Sequence, residues 1–273
     1  MPATALAFAL AAAGFHALWN LLLARARDVE SATAVALLTA EVVFAPVTAA
    51  VWRVDAGVWP WLVGSGAFET VYFALLAAAY RRAPLSVVYP VARGGAPVAV
   101  LVVSVAVLGR STSWAEAAGV ALVVCGILLV RGVRGADRRG VLFGLAIAAS
   151  IAGYTLIDKQ GIRHAGPVPY LELSMLGPTA LYAGAVVRLR GGAAVRRAVR
   201  PPMLVAGVAT FVAYSFVLAA LSRAPAASVA AVRETSVVIA TALAAVVLRE
   251  RVGVWRVAGA VLVVGGIAVL AYA

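Results

Sequence analysis

The chain has 273 residues, of which 64% are hydrophobic and only 12% are charged, and its mean hydropathy is +1.02. Soluble domains carry about 25% charged residues, so this composition excludes an ordinary soluble protein and indicates a protein embedded in a lipid bilayer. The net charge of +12 does not indicate a nucleic-acid partner. All but two of the 23 lysines and arginines lie in loops or at the ends of apolar segments, as is usual in membrane proteins.

Ten apolar segments follow one another along the chain, each about as long as the 17–25 residues that cross a bilayer as a helix. The backbone polar groups of such a segment bond only within it, so the predicted fold is all-α and polytopic, with ten transmembrane helices. The first segment lacks a basic start and is predicted to be a helix of the mature protein, not a signal peptide. The ten segments are residues 4–24, 32–52, 58–80, 85–108, 113–131, 140–158, 167–187, 202–221, 226–248 and 253–272.

Two arginines lie deep in these segments, Arg93 in the fourth and Arg233 in the ninth. A charged side chain at bilayer depth costs roughly 2.5–3.5 kcal/mol, so it usually faces a cavity or a partner. At the same offset of 140 residues, Gly126-Ile127 matches Gly266-Ile267. The sequence therefore predicts a duplicated membrane domain with a polar centre.

The duplication predicts two five-helix repeats, residues 1–132 and 140–273, joined by a short basic linker, 131–139. Because each repeat has an odd number of helices, the second enters the membrane from the opposite side. Inverted repeats of this kind usually hold a substrate site near the midplane, between the two halves.

Glycines recur every seven residues in the fifth and tenth segments, at Gly119 and Gly126 and at Gly259 and Gly266. Small residues on one face of a helix permit close packing in a membrane. The main interpretation is packing between helices of one chain, and the alternative is contact in a homodimer.

Four motifs carry a resemblance to a known family. They are Phe15-His16-Ala17-Leu18-Trp19-Asn20 in the first segment, Tyr89-Pro90-Val91-Ala92-Arg93-Gly94 in the fourth, Asp158-Lys159 at the end of the sixth and Arg233-Glu234-Thr235-Ser236 in the ninth. With them, the chain resembles over essentially its whole length the EamA-type members of the drug/metabolite transporter superfamily. The resemblance implies a ten-helix carrier with a small-molecule substrate. It does not imply which substrate, because the superfamily moves amino acids, nucleotide sugars, drugs and other metabolites.

In the first segment, His16 and Asn20 are four residues apart and share a helix face. They are predicted to line the cavity, with His16 able to exchange a proton near neutral pH, or else to form an interhelical hydrogen bond. The repeat places Gly14-Phe15-His16 parallel to Gly153-Tyr154-Thr155, which pairs Asn20 with Lys159.

Three carboxylates within or near the apolar segments are candidates for proton coupling: Glu41, Glu69 and, as the weakest, Glu172. A low dielectric disfavours a charged carboxylate, which lets such a group bind and release a proton in a carrier. The alternative is a salt bridge to one of the two buried arginines. Tyr72 follows Glu69 on the same side of the helix, which favours a position in the cavity for both.

Tyr89 and Arg93 are also four residues apart, on a helix predicted to break at Pro90. The planar guanidinium of Arg93 suits a substrate carboxylate or phosphate, and the alternative is a permanent ion pair. Glu234 beside Arg233 indicates a local ion-pair network.

Tyr154 and Tyr214 are predicted to line the cavity, whereas Asp158-Lys159 is predicted to be an interfacial pair that marks a helix end. Gly109-Arg110-Ser111 is predicted to be a loop. The predicted cavity set is His16, Asn20, Glu41, Glu69, Tyr72, Tyr89, Arg93, Tyr154, Tyr214, Arg233, Glu234 and Ser236, with His16, Glu41 and Glu69 as proton-coupling groups.

The loops predict the orientation. The loops on the side of the membrane that contains both termini have only Arg53, Arg110, Lys159, Arg163 and Arg223. The loops on the other side contain all the remaining loop cations. Positive loops stay in the cytoplasm, so both termini are predicted to lie outside, in the inner membrane of a prokaryote.

The sequence as a whole predicts a carrier of small polar metabolites that works by alternating access, with export and proton coupling as further hypotheses. No metal or cofactor is indicated, because Cys125 is the single cysteine and His16 and His164 show no ligand spacing. The alternatives are an intramembrane enzyme acting on a lipid-linked substrate and a non-transporting scaffold.

Overall fold

A computed structural model describes residues 1–83, 85–131, 137–239, 242 and 253–272. Among these residues it contains helices and one isolated antiparallel bridge, between Val54 and Ala165, so the predicted all-α fold is confirmed there. A short 3₁₀ turn, Ala56–Val58, precedes the third helix. The helices are α1 (Ala3–Ala24), α2 (Val29–Ala50), α3 (Trp59–Arg82), α4 (Leu85–Ala106), α5 (Trp114–Arg131), α6 (Arg138–Gly161), α7 (Pro167–Arg190), α8 (Gly192–Ala198), α9 (Pro201–Leu221), α10 (Ala226–Arg233) and α11 (Val254–Tyr272).

Among the described residues, seven helical segments are long and apolar enough to cross a membrane: those of α1, α2, α3, α4, α6, α9 and α11. The apolar part of α5, Trp114–Val130, is shorter, and α7 has 24 residues at the place of the seventh predicted span. The chain is therefore a polytopic integral membrane protein. The count of ten crossings stays a prediction, because residues 240–241 and 243–248 of the ninth predicted span lie outside the described residues.

Two details of the predicted helices are wrong. The α4 helix runs from Leu85 to Ala106 without the break expected at Pro90, because a proline inside a membrane helix is tolerated where neighbouring helices support the freed backbone. The ninth span is not continuous: α10 ends at Arg233, Glu234 forms a turn, and residues 235–239 are helical again. The interruption falls at the two charged residues of the segment.

Helices of the first predicted repeat pack on helices of the second. The contacts pair α1 with α9, α2 with α7, α3 and α4 with α6, and α5 with α11. The two halves therefore interlock, and side chains from both meet in the interior.

The α5–α11 contact, called the glycine seam below, consists of Gly119 and Gly126 against Gly259 and Gly266. A Cβ atom on Gly126 would lie 2.6 Å from the carbonyl oxygen of Gly259, and one on Gly259 would lie 2.6 Å from that of Gly126. Only glycine permits backbones to approach this closely. The interpretation of these glycines as an intrachain packing face is confirmed, so a homodimer, which stays a prediction, needs another surface.

The start of α1 and the end of α11 lie on the same face of the molecule. The amino group of Met1 donates to the carbonyl oxygens of Leu270 at 3.1 Å and of Ala271 at 3.2 Å. On the opposite face, Glu30 bridges Arg81 at 3.4 Å and Arg190 at 2.8 Å. This second face, called the arginine-rich face below, also holds Arg188 and the short helix α8, which contains Arg196 and Arg197 and which the sequence did not predict.

Candidate functional site

The centre of the molecule contains a buried ion-pair cluster of Arg93, Arg233 and Glu234. An Nη atom of Arg93 lies 3.2 Å from Oε1 of Glu234, and Nε of Arg233 lies 3.6 Å from the same oxygen. The side chains are 10%, 1% and 0% exposed, respectively. The alternative prediction, a salt bridge from Glu41, Glu69 or Glu172 to these arginines, is wrong, because the partner is Glu234.

Arg93 has further partners on its own helix. Its Nε donates to the hydroxyl of Tyr89 at 3.4 Å, and its guanidinium carbon lies 5.5 Å from the centre of the Tyr89 ring. Tyr89 and Arg93 are one helical turn apart, which brings the two side chains together. Arg93 is thus held by an ion pair, a hydroxyl and a cation–π contact together.

Asp158 of α6 is a second polar centre. Its carboxylate is 1% exposed and accepts hydrogen bonds from Ser65 at 2.6 Å, Tyr170 at 2.9 Å and Tyr214 at 2.5 Å. These hydroxyls come from α3, α7 and α9, so Asp158 joins four helices. Hydrogen bonds to a buried carboxylate stabilise its charged form.

The prediction that Asp158-Lys159 is an interfacial pair at a helix end is wrong. The α6 helix continues to Gly161, and Lys159 donates instead to the carbonyl oxygens of Leu221 and Ala224, where α9 ends. Adjacent residues on a helix do not share a face. Asp158 therefore points inward while Lys159 reaches the next helix.

Tyrosine rings connect this carboxylate to the surrounding helices. The Tyr154 ring lies 6.2 Å from Tyr72 and 5.9 Å from Tyr214, both edge-on. Glu69 of α3 is buried, within electrostatic range of Asp158 and Arg233. The structure thus brings Glu69, Tyr154 and Tyr214 close to the ion-pair cluster.

Two polar residues of α1, His16 and Asn20, make their hydrogen bond and ring contact within α1. The Asn20 amide donates to the backbone carbonyl of His16 at 2.7 Å, and it makes no hydrogen bond to another helix among the described residues. The His16 ring stacks edge-on against Trp19 at 5.4 Å and is 8% exposed. It lies within electrostatic range of both buried arginines.

Glu41 lies apart from the central cluster. Its Oε1 accepts a hydrogen bond from Thr179 of α7 at 3.1 Å, and its carboxyl group lies within electrostatic range of that of Glu172. The structure therefore places Glu41 at the α2–α7 contact. Sequence reasoning missed Ser65, Tyr170 and Thr179, because no pattern distinguishes a hydroxyl that bonds to a distant carboxylate.

Several polar atoms near the centre have no hydrogen-bond partner among the described residues. They are Nε and Nη2 of Arg233, Oε2 of Glu234, Oγ of Ser236 and Nδ1 of His16. Buried polar groups are nearly always hydrogen-bonded, to protein or to another molecule. The donors and acceptors that remain unpaired with described residues at this position are suited to binding a polar molecule.

At the arginine-rich face, Asp28 begins α2. Its carboxylate accepts from the backbone N–H of Ser31 at 3.2 Å and from the Ser31 hydroxyl at 2.7 Å. Burial raises the pKa of Asp28, but the Ser31 hydrogen bonds and the positive charge of Arg190 together outweigh it and hold the pKa below its usual value. Asp28 therefore stabilises the start of α2 in its charged form.

Comparison with known proteins agrees with this architecture. The model of the EamA-like transporter family matches the chain twice, over residues 3–132 and 138–272. A solved structure, described only as a crystal structure of a protein, aligns over 98% of this chain and 96% of its own with a TM-score of 0.77 at 18% identity, which shows a shared fold. Among curated proteins, none matches significantly. Because the family model covers nearly all of its residues, the chain belongs to the EamA-like transporter family.

Proposed function

We propose that the protein is a carrier of small polar metabolites that exports its substrate by alternating access between two inverted five-helix repeats, residues 1–132 and 140–273. The observation that carries the proposal is the contact between Arg93 of the first repeat and Glu234 of the second, buried where the halves meet. A carrier holds its substrate at such a junction, because the halves move against each other around it.

Two observations support ten crossings and the inverted arrangement. The start of α1 and the end of α11 share a face, which requires an even number of crossings. The helix interruption at Glu234 is of the kind that lines substrate sites in carriers, where a broken helix offers its polar backbone to the cavity.

Access from the face on which α1 begins is supported by a cavity of about 270 Å³. Its polar lining includes Thr112, Glu116, Lys159 and Gln160, at the ends of α4 and α6 and the beginnings of α5 and α10. The distribution of loop arginines supports an orientation in which this face is outside and the arginine-rich face is in the cytoplasm of a prokaryote.

Proton coupling is part of the proposal and rests on His16, Glu41 and Glu69. Each of them is a titratable group within a membrane helix, where exchange of a proton accompanies a change of environment. Of the three, Glu69 and His16 lie within electrostatic range of the arginine cluster, whereas Glu41 lies at the α2–α7 contact.

The test is efflux from proteoliposomes loaded with a mixture of amino acids, nucleotides, sugars and phosphonates. We expect the wild type to release at least one compound, chemically unchanged, far faster than protein-free liposomes, and Arg93→Gln to release it slowly. A proton ionophore is expected to slow release against a gradient. An enzyme would return an altered compound, and a scaffold would release nothing; either result contradicts the carrier.

A further inference from the structure

The two buried arginines are not equally engaged. Arg93 contacts Glu234 at 3.2 Å and the Tyr89 hydroxyl at 3.4 Å. Arg233 approaches Glu234 only to 3.6 Å, beyond hydrogen-bonding distance, and its Nε and Nη2 donate to none of the described residues. Arg233 is nevertheless 1% exposed, so bulk water does not satisfy these donors.

A guanidinium with free donors is a binding group of defined chemistry. Its N–H groups lie in one plane and match two oxygens of a carboxylate or phosphate at once. A buried charged donor without a partner is costly, and such atoms persist where another molecule completes them.

The surroundings of Arg233 include two aromatic side chains and a hydroxyl that no described residue uses. The Tyr154 and Tyr214 rings lie within its electrostatic range, and Ser236 three residues later has an unpartnered hydroxyl. Arg93, Arg233 and the carboxylate of Glu234 together carry one net positive charge, and Asp158 and Glu69 are the further carboxyl groups within electrostatic range of Arg233.

We propose that Arg233 binds an oxyanion of the transported molecule, a carboxylate or phosphate, and that Glu69 carries a proton when the oxyanion is bound. The proposal rests on the carrier function proposed above and names the chemical class of its substrate.

Glu69 is the carboxyl group of the centre with the fewest stabilising contacts. Asp158 accepts three hydroxyl hydrogen bonds, and Glu234 contacts two guanidiniums, whereas Glu69 makes no hydrogen bond with a described residue. The titratable groups that face Glu69 are Asp158 and Tyr154 of α6, Tyr170 of α7, Tyr214 of α9 and Arg233 of α10.

A charged Glu69 competes with a bound oxyanion for the field of Arg233, and a protonated one does not. Proton and oxyanion therefore favour each other's binding, and oxyanion affinity falls as Glu69 loses its proton with rising pH. His16, within range of both arginines, is the other group whose protonation would favour an anion.

The test is equilibrium binding to protein in lipid nanodiscs, with benzoate, phenyl phosphate and the neutral isostere benzamide as probes. We expect benzoate or phenyl phosphate to bind at least tenfold more tightly than benzamide, and the stronger of the two identifies the oxyanion. Arg233→Gln should remove this preference, while Arg223→Gln, at an exposed arginine, should retain it.

Arg233→Lys covers the case in which the Gln variant does not fold, because it keeps the charge and loses the planar fork. The proposal is overturned if a folded Arg233 variant binds the oxyanions as tightly as the wild type does. It is also overturned if the wild type does not prefer the oxyanions to benzamide. The affinity of Glu69→Gln for benzoate should change less with pH than that of the wild type. Retention of the pH dependence in Glu69→Gln, with its loss in His16→Gln, would overturn the assignment of the proton to Glu69.

The two proposals fail in different ways. If the carrier function is wrong, the nanodiscs still bind oxyanions but the proteoliposomes release nothing. If the oxyanion site is wrong, efflux persists and binding does not depend on the charge of the probe.

Discussion

The glycine seam and the central cluster hold the two predicted repeats together by opposite means. In the seam, the backbones of Gly126 and Gly259 approach so closely that a Cβ on either would lie 2.6 Å from the carbonyl of the other. In the centre, one carboxylate faces two guanidiniums, and several donors have no described partner. In the seam, the helices are held by the close fit of their backbones. In the centre, hydrogen-bond donors and acceptors remain that no described residue uses. The seam therefore stabilises the contact between the repeats by close packing, whereas the centre stabilises it by ion pairs and keeps donors that no described residue uses.

The largest loss of stability is expected for a substitution in the central cluster, and its size measures how completely water is excluded there. Replacing Glu234 with Ala leaves Arg93 and Arg233 buried without their carboxylate, and we expect it to lower the free energy of unfolding by about 3–5 kcal/mol. The measurement is unfolding in mixed micelles with increasing denaturing detergent.

Glu30→Ala is the matched control, because Glu30 also bridges two arginines, but at a surface where Arg81 and Arg190 are about half exposed. It should cost much less, and less still at high salt. Equal losses for the two variants would mean that the central cluster is as well hydrated as the surface.

The seam gives the next largest effect. Gly126→Ala introduces a Cβ against the Gly259 carbonyl, and overpacking of this kind costs about 1–3 kcal/mol. Gly265→Ala is the control on the facing helix, because a Cβ there meets no atom within 4 Å. We expect a lower unfolding temperature for Gly126→Ala alone. Unchanged stability would show that α5 and α11 separate easily and that the seam is not a rigid contact.

The smallest effect concerns a site outside both regions. Asp28→Ala removes the cap of α2, worth about 1 kcal/mol. Because the folded-state pKa of Asp28 is depressed, its contribution is present above the ordinary pKa of an aspartate and is lost as the pH falls through the lower folded-state pKa. Stability measured against pH should show this loss in wild type. Asp28→Asn, which keeps a capping oxygen, should not lose it, and a wild-type curve that matches that of Asp28→Asn would contradict the assignment.

The sequence predicted the spans and the buried arginines because both depend on local composition. Seven of the ten predicted spans coincide with helices able to cross a membrane, and Arg93 and Arg233 are buried as their cost in lipid implies. The partner of Arg93 was not predictable, since Glu234 is 141 residues away and three other carboxylates were equally eligible.

The errors have a common physical cause. Asp158 was predicted to lie at the membrane interface because Lys159 follows it. In the structure it is buried, and three hydroxyls from other helices donate hydrogen bonds to its carboxylate. Pro90 was predicted to break its helix because proline has no N–H to donate, but α4 stays continuous where it packs on α5, α6 and α10. In both cases the decisive contacts come from elements distant in the chain.

Lys159 and Asn20 occupy equivalent places in the two predicted repeats but bond differently. Lys159 connects α6 to the end of α9, whereas the Asn20 amide, among the described residues, bonds only to its own helix. In a carrier whose halves exchange conformations, perfect symmetry would make the inward-facing and outward-facing forms equal in free energy. In the carrier proposed above, the different hydrogen bonds of Lys159 and Asn20 would remove this equality, and the empty protein would then rest mainly in one of the two forms before any gradient acts on it.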